Sequence, residues 1–152
     1  MFNIVLLEPD IPQNTGNIAR LAAANDYNVI LVGKLGFELT DRYLKRAGLD
    51  YWEYVRIKHY EDKEAFFKEI APERLHYLTK TGDKSYTEMV PKEGDYFVFG
   101  SETRGIDKER LNANRDRCYK IPMKNPGVRS LNLATSVGIV MYHAQYKLDL
   151  GQ

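Results

Sequence analysis

The chain opens on an apolar run, Phe2 to Leu7, broken only by Asn3 and closed by Glu8-Pro9. Continuous rather than alternating apolarity over so short a run is the pattern of a strand buried on both faces, as in the middle of a parallel sheet. The loop Glu8 to Asn14 contains two prolines, and Asn14 or Thr15 is placed to cap an alanine- and leucine-rich helix from Gly16 to about Asn25. Val29 to Val32, closed by Gly33, reads as a second strand; Asp41 to Ala47 reads as a short helix that starts at Thr40 and stops at Gly48. The alternation continues with a strand at Tyr54 to Ile57, a helix capped by Asp62 and running through Ile70, and strands at Leu75 to Leu78 and Tyr96 to Phe99. Tyr119 to Ile121 is a further short strand before the loop Pro122 to Arg129, and a last helix runs from about Leu131 to Lys147. Strands taking turns with helices predict an α/β fold with a mainly parallel sheet and flanking helices.

Composition changes this picture little. At 152 residues, with 43% hydrophobic and 28% charged residues, a single domain over 1–152 is expected. The first apolar run is too short for a signal peptide or a membrane span, so a cytoplasmic protein is expected. Cys118 is the single cysteine and reads as a packed structural thiol. A formal net charge of +1 says nothing for or against nucleic acid, which leaves local clusters of Lys and Arg to be weighed.

In open parallel sheets ligands sit beyond the carboxyl ends of the strands. Three segments qualify: Leu78-Thr79-Lys80-Thr81-Gly82, Phe99 through Gly105, and Ile121-Pro122-Met123 continuing to Ser130-Leu131-Asn132. A dinucleotide fingerprint is excluded, because the first strand-to-helix turn, Pro9 to Gly16, holds one glycine and two prolines. Gly82-Asp83-Lys84-Ser85 lacks the glycine spacing and the GK pair of a phosphate loop. His59, His76 and His143 show no paired spacing, so no metal is expected.

Three segments together resemble the SPOUT class of methyltransferases: Asn14-Thr15-Gly16-Asn17-Ile18-Ala19-Arg20, Phe99 to Gly105, and Ser130-Leu131-Asn132-Leu133-Ala134. Their order is joined by Val137-Gly138-Ile139-Val140-Met141-Tyr142 in the helix after the third, and the likeness covers nearly the whole chain. The start, Asn3-Ile4-Val5-Leu6 with Glu8-Pro9 and Ile11-Pro12, and Arg46-Ala47-Gly48-Leu49-Asp50-Tyr51 are similar to the small tRNA wobble-position 2′-O-methyltransferases of the TrmL/YibK type. The resemblance implies a C-terminal deep trefoil knot, which periodicity and spacing do not reveal, S-adenosylmethionine as cofactor, and a homodimer. It also implies methylation of the ribose at a wobble cytidine or modified uridine, position 34, in the anticodon stem-loop of tRNA-Leu. Two other readings stay open: ribose methylation elsewhere in tRNA or in rRNA, and an idle RNA-binding module of the same fold.

By the same resemblance Leu78, Thr79, Gly100, Glu102, Ile121, Met123, Ser130 and Leu131 surround the cofactor, although Leu78, Ile121 and Met123 read equally well as core. Arg20 is the counterpart of the acceptor-activating arginine. A guanidinium stays protonated, with a pKa above about 12, so a general-base role competes with stabilisation of a developing alkoxide. Asn14, Ser130 and Asn132 are its catalytic companions, with helix capping the alternative for Asn14 and Ser130. Arg42, Lys45 and Arg46 share one helix face, suited either to a phosphate backbone or simply to solvent. Arg104, Lys124 and Arg129 flank the cofactor loops as RNA contacts, and Tyr142 suits either RNA or a subunit interface.

Overall fold

The computed structural model describes residues 1–40 and 54–151. The Asp41 to Ala47 helix, with Arg42, Lys45 and Arg46, lies outside the described residues. Seven strands make one sheet: β1 (Asn3–Leu7), β2 (Asn28–Val32), β3 (Arg56–Tyr60), β4 (Leu75–Leu78), β5 (Lys84–Ser85), β6 (Tyr96–Phe99) and β7 (Cys118–Lys120). Their order is β3-β2-β1-β6-β4-β7-β5, and every pairing is parallel. The helices are α1 (Pro12–Asn25), α2 (Lys63–Glu69), α3 (Lys108–Ala113) and α4 (Leu133–Asp149).

The apolar run at the N-terminus is explained by where β1 sits. With β2 on one side and β6 on the other, each of its five residues is buried. Ile4 and Leu6 pack with Val29, Leu31, Phe97 and Phe99 under Ile18 and Ala22 of α1 and Val137, Val140, Met141 and Ala144 of α4. Val5 and Leu7 point the other way, with Ile30, Val32 and Val98, against Phe66 of α2 and Leu111 of α3. Strand side chains alternate between faces, so a strand that is apolar at four successive positions, Ile4 to Leu7, requires a layer of helices on each side.

α1 begins at Pro12, four residues before the expected start, with Ile11 as N-cap and no side-chain cap. Proline suits the first helical position because its φ is already helical and its missing N–H has no partner to lose. Asn14 and Thr15 therefore lie inside the helix and do not cap it. α4 begins two residues later than expected, capped by Asn132, whose Oδ1 accepts from the Thr135 N–H at 3.1 Å; Ser130 is not a cap. At its far end α4 is fastened to the α1–β2 turn by the Tyr27 hydroxyl, which donates to Gln145 Oε1 at 2.8 Å. Burial, with Tyr142 and Asp149 nearby, pushes that hydroxyl up to about 12, so it stays a donor.

β3 is displaced from Tyr54–Ile57 to Arg56–Tyr60 because its in-register pairing with β2, Asn28 opposite Arg56 through Val32 opposite Tyr60, sets its ends. As the last strand in the sheet order it keeps Arg56 and Lys58 exposed, which hides it among polar residues. The discarded Gly82 to Ser85 segment is structural: Lys84 and Ser85 pair with β7, and a Cβ at Gly82 would lie 2.6 Å from the Tyr119 carbonyl carbon. Cys118 is buried, its Sγ 3.2 Å from the Asn114 carbonyl oxygen, and burial pushes the thiol up, away from nucleophile chemistry.

Candidate active site

The ends of β4, β6 and β7 and the first turns of α1 and α4 enclose a cleft of about 610 Å³. Small-molecule sites span roughly 300–1,000 Å³. All eight residues expected around the cofactor, Leu78, Thr79, Gly100, Glu102, Ile121, Met123, Ser130 and Leu131, line it, together with Asn14, Asn132 and Arg104. Leu78 is nearly buried, whereas Met123 and Leu131 expose 37% and 36% of their surface into or around it. Apolar side chains left open in a concave wall are surface that a bound apolar group would cover.

The β6–α3 loop shows why its sequence is Gly100-Ser101-Glu102-Thr103-Arg104-Gly105. It folds back on itself through an antiparallel bridge between Ser101 and Gly105, with the Gly105 N–H donating to the Ser101 carbonyl at 3.1 Å. A Cβ at Gly100 would come within 2.6 Å of Gly105 Cα and of Ile106 N, and Gly105 has φ +69°. One glycine is therefore needed for close approach and the other for a left-handed turn. Gly100 lines the cleft as well, but the crowding that bars a side chain there comes from the loop itself. Gly100→Val is accordingly expected to force the loop open, destabilising the fold by about 3 kcal/mol and weakening cofactor binding with it. Thermal melts and calorimetry with S-adenosylmethionine check this, and wild-type values in both would refute it.

Asn14, Glu102 and Asn132, which come from the three sequence motifs, meet in one chain of hydrogen bonds. Asn132 Nδ2 donates to Asn14 Oδ1 at 3.1 Å, and Asn14 Nδ2 donates to Glu102 Oε2 at 3.2 Å. The direction of the chain is forced, because the carboxylate only accepts and the Thr135 N–H that Asn132 caps only donates. The remaining Glu102 contacts are from the Asp10 and Ile11 N–H groups, both at 2.9 Å. Glu102 thus stands in the cleft wall, as expected of a residue around the cofactor, with its carboxylate oxygens accepting from the head of α1.

Among the expected RNA contacts that fall in the described residues, Arg104 alone lines the cleft; it is 58% exposed and 3.5 Å from Asp10 Oδ1. Lys124 and Arg129 lie in the segment 122–132, every residue of which is exposed, and do not line the cleft. Tyr142 is 57% exposed on α4 and its hydroxyl accepts from Asn25 Nδ2 at 3.1 Å. Lys80 and Lys108, which the sequence reading did not assign, do line it. Lys80 was within reach of that reading, since it stands in the segment singled out after β4.

Arg20 is not in the cleft of its own chain. It is exposed, and at six residues from Asn14 it is turned about 240° around α1 and displaced by about 9 Å along it. The histidines stand apart from one another: His59 Nε2 lies 2.8 Å from the Gly33 carbonyl oxygen, His76 pairs with Asp95 at 2.8 Å, and His143 packs edge-on against Tyr86.

Residues 1–142 match the SpoU rRNA Methylase family. The chain belongs to that family. It is 46% identical over 149 residues to a tRNA (cytidine(34)-2′-O)-methyltransferase from Saccharophagus degradans, covering 97% of this chain and 96% of the relative. A solved structure bearing on 2′-OH methylation of C/U34 on tRNA superimposes with a TM-score of 0.88 at 43% identity, covering 100% of this chain and 98% of that one. At 20% identity the SpoU methyltransferase AviRb from Streptomyces viridochromogenes, solved with AdoMet, shares the fold with a TM-score of 0.79, over 93% of this chain and 56% of its own. The parallel sheet with flanking helices is thus the SPOUT methyltransferase fold.

Proposed function

We propose that this protein is an S-adenosylmethionine-dependent tRNA ribose 2′-O-methyltransferase acting on the wobble nucleotide, a cytidine or modified uridine at position 34 of tRNA-Leu. The observation that carries the reading is the meeting of the three family motifs at one strand-end cleft, joined through Asn14, Glu102 and Asn132. Near-full-length identity to a cytidine-34 methyltransferase supports the substrate.

The cleft fits the cofactor. Leu78, Ile121, Met123 and Leu131 offer apolar walls for a purine, while Thr79, Gly100 and Ser130 offer hydroxyl and backbone groups for its polar edge. When bound, S-adenosylmethionine supplies a methyl group on a cationic sulfonium. The chain's own part is to exclude water, to hold the ribose hydroxyl in line with that methyl, and to stabilise the charge that grows on its oxygen. Arg20 takes the last task, because its guanidinium donates and does not accept. Asn14 and Asn132 hold the motifs in register, and Ser130 lies open to the ligands at the mouth.

Two copies complete the site: with Arg20 turned away from its own cleft, a second chain brings it to the neighbouring one. Lys80, Arg104 and Lys108 in the cleft wall, with Lys124 and Arg129 on the exposed 122–132 segment that supplies Met123 and Ser130 to it, offer positive charge for the phosphates of an anticodon stem-loop. The chain functions as a single domain with a C-terminal trefoil knot, in the cytoplasm and without a metal. Incubation with methyl-labelled cofactor and undermethylated total RNA, followed by mapping of alkali-resistant linkages, tests the reading. One linkage 3′ to nucleotide 34 is expected; a linkage elsewhere, or none, would overturn it.

A further inference from the structure

α1 presents an unusual N-terminus. It has no side-chain cap of its own and no acidic residue in its first turn. Helix N-termini carry a partial positive charge and unpaired N–H groups, which in most helices a local Ser, Thr, Asp or Asn satisfies. Here a carboxylate from another part of the chain does so. Glu102 Oε1 accepts from the Asp10 N–H, and Oε2 accepts from the Ile11 N–H and from Asn14 Nδ2.

The two residues that follow Glu102 grip the same place from the other direction. The Thr103 hydroxyl donates to Asp10 Oδ2 at 2.7 Å, and Arg104 stands 3.5 Å from Asp10 Oδ1. Three consecutive residues of the β6–α3 loop thus clasp the 10–14 segment. That loop is itself held closed by the Ser101–Gly105 bridge, so the clasp is rigid at its base.

We propose that Glu102 is a positioning residue: the anion at the head of α1, which sets the placement of this helix and so of Arg20 for acceptor chemistry. It is not a ligand of the cofactor. Three of the roughly four acceptor sites of its carboxylate are given to the 10–14 segment, which leaves about one for any ribose hydroxyl. The proposal rests on the assignment of Arg20 to the acceptor given above.

Glu102→Gln tests it. Glutamine has one acceptor oxygen and an amide that donates, so at least one of the two backbone N–H groups would face another donor, and the negative charge is gone. Expected are a fall in kcat of at least tenfold at saturating tRNA and cofactor, a cofactor Kd within threefold of wild type, and at least tenfold faster amide exchange at Asp10 and Ile11. Glu102→Asp, which keeps the charge and both acceptors on a shorter arm, should recover part of kcat; it is read in the same way if the glutamine variant does not fold. A cofactor Kd raised tenfold or more with kcat at saturation preserved would overturn the proposal and return Glu102 to the cofactor. So would unchanged exchange at Asp10 and Ile11, or kcat left at the wild-type value. Cofactor calorimetry and amide exchange need no RNA. A wrong substrate assignment would therefore show as an inactive wild type while these two measurements still decide the role of Glu102.

Discussion

Arg20→Ala is expected to remove methyl transfer, lowering single-turnover rates by about 100- to 1,000-fold, while cofactor affinity stays near the wild-type value. The size of the effect follows from the task. Attack of a ribose hydroxyl on a sulfonium methyl builds negative charge on the oxygen, and loss of one well-placed donor to such a charge costs about 10²–10³ in rate. The selectivity follows from position. Arg20 is absent from the wall that Leu78, Gly100, Ile121 and Leu131 form, and it is turned away from the Asn14 face of α1. Arg20→Lys should recover only part of the loss, because an ammonium is a point charge without the planar fork that spans a ribose oxygen and a phosphate together. Quench-flow assays with tRNA and calorimetry with S-adenosylmethionine separate the two quantities. Unchanged turnover would take Arg20 out of the mechanism, and a tenfold loss of cofactor affinity would move it to the other substrate.

Much of this arrangement is legible in the residues, and the parts that are not share a cause. Buried central strands such as β1, β4 and β6 announce themselves, since burial on both faces leaves little but apolar residues in them. The strand-end rule then leads to the three segments that line the cleft. The start of α1 was misplaced because the group that satisfies its head lies about 90 residues downstream, at Glu102, and no local pattern contains it. The same distance explains Asn14, which reads as a cap in sequence and proves to be a bridge between Glu102 and Asn132. The two-residue strand β5 exists only through its pairing with β7, and α3 is too short for its periodicity to stand out. Family resemblance reached further than periodicity for the cleft wall, because motif loops are set by what they must approach. It does not show what the Glu102 carboxylate holds, because a motif states that a residue is near the site and not which neighbour it contacts.

Gly138→Glu is expected to yield monomers and to abolish activity in the same step. The final helix has two apolar faces. Val137, Val140, Met141 and Ala144 are buried against the sheet, and Leu133 and Leu148 pack beside them. Ala134, Gly138 and Ile139 stay half-exposed, and Tyr142, Tyr146 and Leu150 expose 57%, 61% and 53% of their surface along the outer side. A helix that only needed to cover one side of the sheet would be polar there. Gly138 is a clean place to probe that outer side, because a Cβ built on it meets nothing within 4 Å among the described residues of its own chain. Gly138→Ala should therefore fold normally and, by its small size, leave association nearly intact. The glutamate differs from alanine by a carboxylate that solvent accommodates in a monomer. Facing a second helix at close range, it would be buried without a partner, at a cost of several kcal/mol. Each 1.4 kcal/mol is tenfold in dissociation constant, so a loss of this size carries a dimer past the concentrations of an ordinary assay. Activity should fall with dimer content if, as proposed, Arg20 reaches a cleft across the interface between two chains. Light scattering, circular dichroism and methylation measured on the same samples decide the matter. Folded, fully active monomers, of the wild type or of the variant, would show that one chain assembles the whole site, and Arg20 would then have to reach its own cleft by a movement of α1 that the Glu102 clasp opposes.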